Sequence, residues 1–312
     1  MRRELHTKST SPEKRRILKQ LLYYDIFDHV LSRDELIKDC ALGQQSDAII
    51  EDLLKHRLIY QLDDYYSVKN NPDLAEKRKT GMENTQLSMP RALKMAKLIG
   101  KFPFVRAVAL SGSISKGYMD SFKDIDYFII TKPKRLWLSR TLLVFYKKVL
   151  LLNSFRYFCL NYFIDENNLE IKNKNYFTAT EINTLVPVNG NTLFRLFYDS
   201  NAWVKNSYKD FPQNQFAEEK ALTRSIFKQF IEFSLSNFVG NWLDIFSMKF
   251  TVFYWKWKYK GDKKYLFKSS FRFRRDEAKY HPGNFQQLIL ERFDTNIKNF
   301  ENEKNISLND EN

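Results

Sequence analysis

Over the first 70 residues, apolar positions recur every three or four places and predict three short helices. Ser11-Pro12 supplies an N-cap with proline at the first helical position, and Ile17, Leu18, Leu21, Leu22 and Ile26 then share one face. Ser32 and Glu35 form a capping box ahead of Leu36 and Ile37, and Ser46 opens a third helix carrying Ile49, Ile50, Leu53, Leu54 and Leu58. Two β-type runs, Leu58–Leu62 and Tyr65–Val68, flank Asp63-Asp64 and predict a hairpin. Three helices closed by a hairpin make a winged-helix-like module of residues 1–70. Its third helix presents Asp47, Glu51, Asp52 and Lys55 outward. Entry into a DNA groove would set those carboxylates against phosphate, so a scaffold or protein-interaction role fits better.

Asn70-Asn71-Pro72 breaks the chain; a helix is expected from Asp73 towards Thr85 and another from Pro90 through Ile99, ended by Gly100 and Pro103. An apolar strand, Val105 to Leu110, runs into Ser111-Gly112-Ser113, and after a short polar segment containing Lys116-Gly117 a second strand carries Asp124-Ile125-Asp126-Tyr127 into Phe128-Ile129-Ile130. The helix Lys134–Leu152 leads to a third strand, Arg156–Asp165. From Thr178 the periodicity is helical: Thr178–Leu185, Thr192–Tyr208, then a long pair from Phe216 to about Tyr259 interrupted near Gly240.

Composition narrows the class. At 312 residues and 43% hydrophobic content, the chain is long enough for two or three cored domains. Two cysteines, Cys40 and Cys159, exclude a disulfide framework and argue against a thiolate zinc site. The polar N-terminus does not read as a signal peptide, and charges break every apolar run short of spanning length, so a soluble cytoplasmic protein is expected. The net charge of +14 is uneven: residues 1–20 carry seven basic and two acidic side chains, and residues 256–275 carry nine and one. These two segments account for nearly all of it, either as solvated ends or as polyanion-binding surfaces.

The chemistry sits at residues 104–131. Strand alternation puts Asp124 and Asp126 on one face, with Ile125 and Tyr127 on the other. Two carboxylates side by side repel unless a cation bridges them, and all-oxygen ligation favours magnesium. Gly112 permits close backbone approach, and a hydroxyl with backbone amides at a helix start suits phosphate. Together these point to metal-assisted phosphoryl or nucleotidyl transfer. In the third strand alternation groups Cys159, Asn161, Phe163 and Asp165, leaving Asn161 and Asp165 as candidates for a further metal ligand. An amide cannot act as a base, and Asp165 also reads as the first residue of the turn Asp165-Glu166-Asn167-Asn168.

The sequence from Gly112-Ser113 through a ten-residue spacer to Asp124-Ile125-Asp126-Tyr127, with Lys116-Gly117 between, resembles the nucleotidyltransferase superfamily whose best-known member is DNA polymerase beta. One departure is Lys123, where relatives often have serine before the first aspartate. The resemblance implies an α+β fold: a small mixed nucleotidyltransferase sheet with flanking helices (71–175), preceded by the winged-helix-like module (1–70) and followed by a helical domain (176–300) and a disordered tail (301–312). More loosely, Tyr24–Asp28, Phe102–Arg106, Leu160–Tyr162, Phe177–Ile182 and His281-Pro282 make the chain similar to bacterial nucleotidyltransferase-domain proteins with a winged-helix-like segment in front. That second match extends the architecture and not the substrate.

The implied activity is a magnesium-dependent nucleotidyltransferase moving a nucleoside monophosphate from a nucleoside triphosphate, ATP by default, to an unidentified acceptor. Asp124 and Asp126 would hold the metals, two Mg2+ ions in such enzymes, with Asp165 or Asn161 completing the site. Gly112 and Ser113 would grip the triphosphate and Lys116 would neutralise it. The alternative is a catalytically silent regulator or nucleic-acid-binding protein. The aromatic and cationic run from Trp255 to Arg275 admits a core stripe with a solvated basic face, a nucleic-acid surface, or an interfacial membrane helix. His281 reads as a loop-ordering residue, and the four histidines lack metal-site spacing.

Overall fold

The computed structural model describes residues 8–120, 124–150, 157–212, 226–258, 260, 271–280 and 285–308. In chain order these form β1 (Lys8–Ser9), α1 (Pro12–Asp25), β2 (Leu31–Ser32), α2 (Arg33–Cys40), α3 (Ser46–Lys55), β3 (Tyr60–Leu62), β4 (Tyr65–Ser67) and α4 (Asp73–Gly100). Next come β5 (Val105–Ser111), α5 (Gly112–Ser115), β6 (Asp126–Thr131), α6 (Leu136–Leu150), β7 (Cys159–Asp165), α7 (Tyr176–Asn183), β8 (Val186–Asn189) and α8 (Asn191–Ser200). The chain continues through α9 (Ile226–Ser234), α10 (Phe238–Lys258), β9 (Phe271–Phe273), β10 (Glu277–Tyr280), α11 (Phe285–Lys304) and β11 (Ile306–Ser307). The fold is α+β, and among the described residues no helix is long and apolar enough to cross a membrane.

The chain divides into two compact units that do not follow sequence order. One comprises residues 1–82, 204–211 and 286–312; the other comprises 83–203 and 212–285. In the first, α1, α2 and α3 precede the hairpin β3–β4, and β2 joins it to give a three-stranded sheet in the order β2-β4-β3. The capping box forms as the sequence predicts. The Ser32 hydroxyl accepts from the Glu35 amide at 3.3 Å, and Glu35 accepts from the Ser32 amide at 2.8 Å. The other carboxylate oxygen of Glu35 receives the buried Arg78 guanidinium of α4 at 2.7 Å, so one side chain both starts a helix and neutralises a cation. The expected outward acids of α3 are engaged locally: Asp47 bonds Arg33, and Asp52 bonds Lys14 at 2.5 Å.

In the second unit a six-stranded mixed sheet has the order β8-β5-β6-β7-β10-β9. The pair β5–β6 is antiparallel, while β6 and β7 are parallel and joined through α6. One face of the sheet, including Val108, Leu110, Ile125, Tyr127 and Ile129, buries against Ala92, Ala96 and Ile99 of α4 and Leu136, Trp137 and Leu143 of α6. The other face carries Asp126 and Phe128, and the Phe128 ring meets Phe194 and Phe197 of α8 at 6.3 and 5.1 Å.

Several sequence expectations change. The helical break before Pro90 is absent, and α4 runs unbroken with Pro90 inside it. A proline forfeits one backbone hydrogen bond, and here the fully buried stripe of Ala92, Ala96 and Ile99 offsets that loss. Residues 176–300 are not a separate helical domain, because β8, β9 and β10 complete the main sheet and α11 groups, from Gln286 onward, with the N-terminal unit. The tail expected to be disordered from residue 301 holds the end of α11 and then β11, which pairs in parallel with β1. Lys123, Phe216 and His281 lie outside the described residues.

Replacing Ser32 with alanine removes one of the two capping bonds and should destabilise the protein by about 1 kcal/mol. Urea denaturation followed by far-ultraviolet circular dichroism measures this; an unchanged midpoint would show that the box carries no stability.

Candidate active site

The site is built where β5 ends beside the start of β6. Ser111 and Asp126 are directly paired across the antiparallel ladder, so their side chains share the face away from the main core. At Gly112 the chain must turn out of β5 into α5, and it does so with φ +71°. A Cβ at that position would stand 2.5 Å from the Asp126 Oδ2 atom, so both the backbone angle and the close approach require glycine. Ser113 follows in α5, where its carbonyl accepts from the amides of Lys116 and Tyr118 at 3.2 and 3.1 Å.

Asp124 precedes β6 and is exposed, while Ile125 and Tyr127 are fully buried in the core, as the predicted alternation requires. The Asp126 carboxyl is pushed up to about 6, first by burial and then by the charges of Glu181 and Asp124. A hydrogen bond from the Cys159 thiol and the charge of Lys116 act the other way. Burial, followed by the charges of Asp126 and Asp124, pushes the Cys159 thiol up as well, so it stays protonated and donates to Asp126. Lys147 of α6 is buried, and desolvation lowers its pKa against the opposing charges of Cys159 and Asp124.

The sequence-predicted residues do not all converge. Gly112, Ser113, Lys116, Asp124 and Asp126 gather at one end of the sheet. The Lys116 ammonium is engaged there, 2.8 Å from Glu181 and 3.2 Å from the Gly112 carbonyl. Asp165 is elsewhere. In the parallel ladder Asp126 pairs with Cys159 and Thr131 pairs with Asp165, placing Asp165 five strand positions away, about 17 Å at 3.3 Å per residue. A register shift between Tyr127 and Phe128, opposite Leu160 and Tyr162, breaks the alternation assumed for β7. Phe163 consequently joins Leu160 in the core instead of sharing a face with Cys159, and Asp165 follows Phe163. Asp165 is the turn residue, its Oδ1 atom accepting from the Asn167 amide and the Asn168 side chain, each at 3.0 Å. It is not a third ligand.

The carboxylate that does reach the site is Glu181 of α7, which sequence reasoning passed over. Its signal was present: it is the only charged residue between Lys174 and Arg195, on a helix whose neighbours Phe177, Ala179 and Ile182 are buried. Beside it lies a half-open pocket lined by Ser111, Asn161, Tyr162, Phe177, Glu181 and Lys279. Lys279 places its ammonium 5.4 Å from the Tyr162 ring centroid and 5.7 Å from that of Phe177. The pocket therefore joins aromatic rings, an amide, a carboxylate and a cation on the same face as Asp126.

Among the described residues no group of three or more His, Cys, Asp and Glu side chains forms a metal-binding cluster as placed. The chemistry of Asp126 nonetheless fits a hard divalent cation, since burial first and then two neighbouring carboxylates raise its pKa, and a bound cation would oppose both effects. The chain matches no protein-family model, no curated protein and no solved structure.

A carboxyl with a pKa of about 6 folded and 3.8 unfolded keeps its proton better in the folded state. Its contribution to stability is complete below pH 3.8 and is lost as pH rises through about 6. Asp126→Asn, measured in chelator, should therefore unfold at a higher temperature than wild type at pH 7, with that gain shrinking towards pH 4. Parallel stability-pH curves for the two proteins would contradict the burial of this carboxylate.

Proposed function

We propose that the protein is a magnesium-dependent nucleotidyltransferase that moves a nucleoside monophosphate from a nucleoside triphosphate, ATP by default, onto an acceptor. The observation that carries this reading is the juncture of Gly112 and Asp126, where a glycine turn is held against a carboxylate whose pKa is raised by burial and then by its acidic neighbours. Asp124 and Asp126 would hold magnesium, which when bound supplies charge neutralisation to the reacting phosphates. The resemblance to the polymerase beta superfamily supports the same assignment.

The chain's own groups would do the rest. Gly112 lets backbone amides approach phosphate oxygens, and Ser113 adds a hydroxyl at the same turn. Lys116, anchored by Glu181, holds a positive charge beside the turn where the triphosphate would lie. The neighbouring pocket offers Tyr162 and Phe177 for stacking and Asn161 for hydrogen bonding, so it suits the base or the acceptor.

The silent-module reading is favoured by one observation. Asp165 is at the wrong end of β7, and the strand positions nearest Asp126 carry Cys159, Leu160 and, at the bulge, Asn161, none of which is a carboxylate. Thermal unfolding with magnesium and each of the four nucleoside triphosphates separates the two readings. For the enzyme, one triphosphate at about a hundredfold over its Kd should raise Tm by about 3 °C or more. Asp124→Asn with Asp126→Asn should abolish the rise. No shift with any triphosphate would favour the silent module.

A further inference from the structure

Helices α9 and α10 turn polar anchors towards the body of their unit and most of their rings outward, Trp255 being buried. The C-terminal part of α6, whose first half packs in the core, adds exposed apolar residues to the same surface. On α10 the buried positions are Gly240, Asp244, Ser247 and Trp255, and Asp244 is fully buried. Its Oδ1 atom accepts from the Leu138 amide at the start of α6 at 2.9 Å. The opposite side carries Phe238, Trp242, Phe246, Phe250, Phe253 and Trp257, each between 53% and 80% exposed. On α9, Glu232 bonds both the Arg106 guanidinium and the Phe104 amide, and Lys228 bonds the carbonyls of Gly100 and Val105. Meanwhile Ile226, Phe230 and Phe233 of α9 are 86%, 67% and 82% exposed. On α6, Arg140 and Lys147 are buried while Phe145, Val149 and Leu150 are exposed.

Six rings of roughly 200 Å² each, all more than half exposed, present on the order of 700 Å² on α10 alone. The largest apolar patch of an ordinary monomer is about 300–600 Å², so this surface has a counterpart. Its charge indicates which. Lys148, Lys249, Lys256 and Lys258 are the exposed charged side chains of α6 and α10, whereas the acids of α9 and α10, Glu232 and Asp244, are turned inward. A second copy would bring like charges together, while an anionic surface matches them. The ring geometry separates lipid from nucleic acid. Trp242 stacks on Phe246 at 5.5 Å and 12°, and Phe246 on Phe250 at 6.2 Å and 18°. With their faces turned to one another, these rings present edges outward, which suits acyl chains and leaves little room for an inserted base.

We propose that the aromatic face of α6, α9 and α10 docks on the surface of an anionic lipid bilayer, lying in the interface with Trp and Phe among the acyl chains and lysines at the headgroups. No described helix spans a membrane, so the attachment is peripheral and reversible. This surface is independent of the reading of the Asp126 site.

The test is co-sedimentation of the full chain with large unilamellar vesicles of phosphatidylcholine alone or with 30 mol% phosphatidylglycerol, together with tryptophan fluorescence. Wild type should sediment with the anionic vesicles and shift its emission to the blue, and salt should weaken binding. The triple variant Trp242→Ser, Phe246→Ser, Phe250→Ser changes only exposed positions; it should bind at least tenfold more weakly with its far-ultraviolet spectrum intact. Lys249→Glu with Lys256→Glu, which leaves the apolar stripe in place, should lose the preference for phosphatidylglycerol. Absence of vesicle binding by wild type at low salt would overturn the proposal, as would undiminished binding by the triple variant. A wild-type dimer that the triple variant dissociates would assign the face to a second copy, and single-stranded oligonucleotide binding lost in that variant would assign it to nucleic acid; either result overturns the bilayer proposal.

Discussion

The antiparallel pairing of β5 with β6 is the constraint on which the candidate site depends. It fixes Ser111 opposite Asp126 and leaves the turn at Gly112 nowhere to go except against that carboxylate. A side chain at residue 112 would be strained by its positive φ and would collide with Asp126, so the site's geometry is written into the backbone before any ligand is considered. Burying a carboxylate is costly, and the local partners address it only in part. The Cys159 thiol donates a hydrogen bond and Lys116 supplies an opposing charge, yet the pKa still rises. The sheet thus holds a carboxyl whose pKa burial and acidic neighbours raise despite its local partners.

The same unit uses buried polar contacts for architecture as well. Arg135 bonds the Leu235 and Asn237 carbonyls and the Asn241 side chain, clamping the turn from α9 into α10. Gly240 sits under that clamp, where a Cβ would meet the Leu235 carbonyl and the Arg135 guanidinium. Asp244 then ties α10 to the first turn of α6, where unpaired amides favour a carboxylate. These directed bonds help fix the orientation of α9 and α10, most of whose rings face away from the body. The buried Trp255 of α10, packed on Phe273, and Leu136, Trp137 and Leu143 of α6 add hydrophobic anchorage to those bonds, while the aromatic surface of α10 stays outside.

What the sequence made legible followed from local physics. Caps at Ser11 and Ser32 mark helix starts because they satisfy amides within three residues. Alternation through Asp124 to Ile130 correctly separated Asp126 from Ile125 and Tyr127 because strand periodicity is local too. The failures concern position along or between strands. Alternation assigns a face but not a height, and between β6 and β7 the height is set by the long crossover through α6, so nothing local revealed that Asp165 would pair with Thr131. The bulge near Asn161 then inverted the face as well. Strands β8, β9 and β10 have three or four residues each, and β8 contains Pro187; such segments become strands only because a longer neighbour offers its edge. Glu181 was legible as an isolated charge on an apolar helix, but only tertiary structure brings α7 to Lys116.

The position of Glu181 changes the logic of the site. A third carboxylate on β7 would act on Asp126 through a rigid ladder, as neighbouring strand residues do. Glu181 instead comes from a helix and is tied to Lys116, which itself is bonded to the carbonyl of Gly112. The glycine turn, the lysine and the glutamate are therefore one linked group. Any anion that draws on the Lys116 charge weakens its hold on Glu181 and leaves that carboxylate freer to act on Asp126, and any cation that neutralises Asp126 removes the repulsion from Glu181. Under the proposed function, anion and cation would therefore favour one another's binding through Lys116, Glu181 and Asp126, a coupling that either would exert equally on the other. On that proposed function, a metal-phosphate pair would suit this electrostatic balance better than either ion alone.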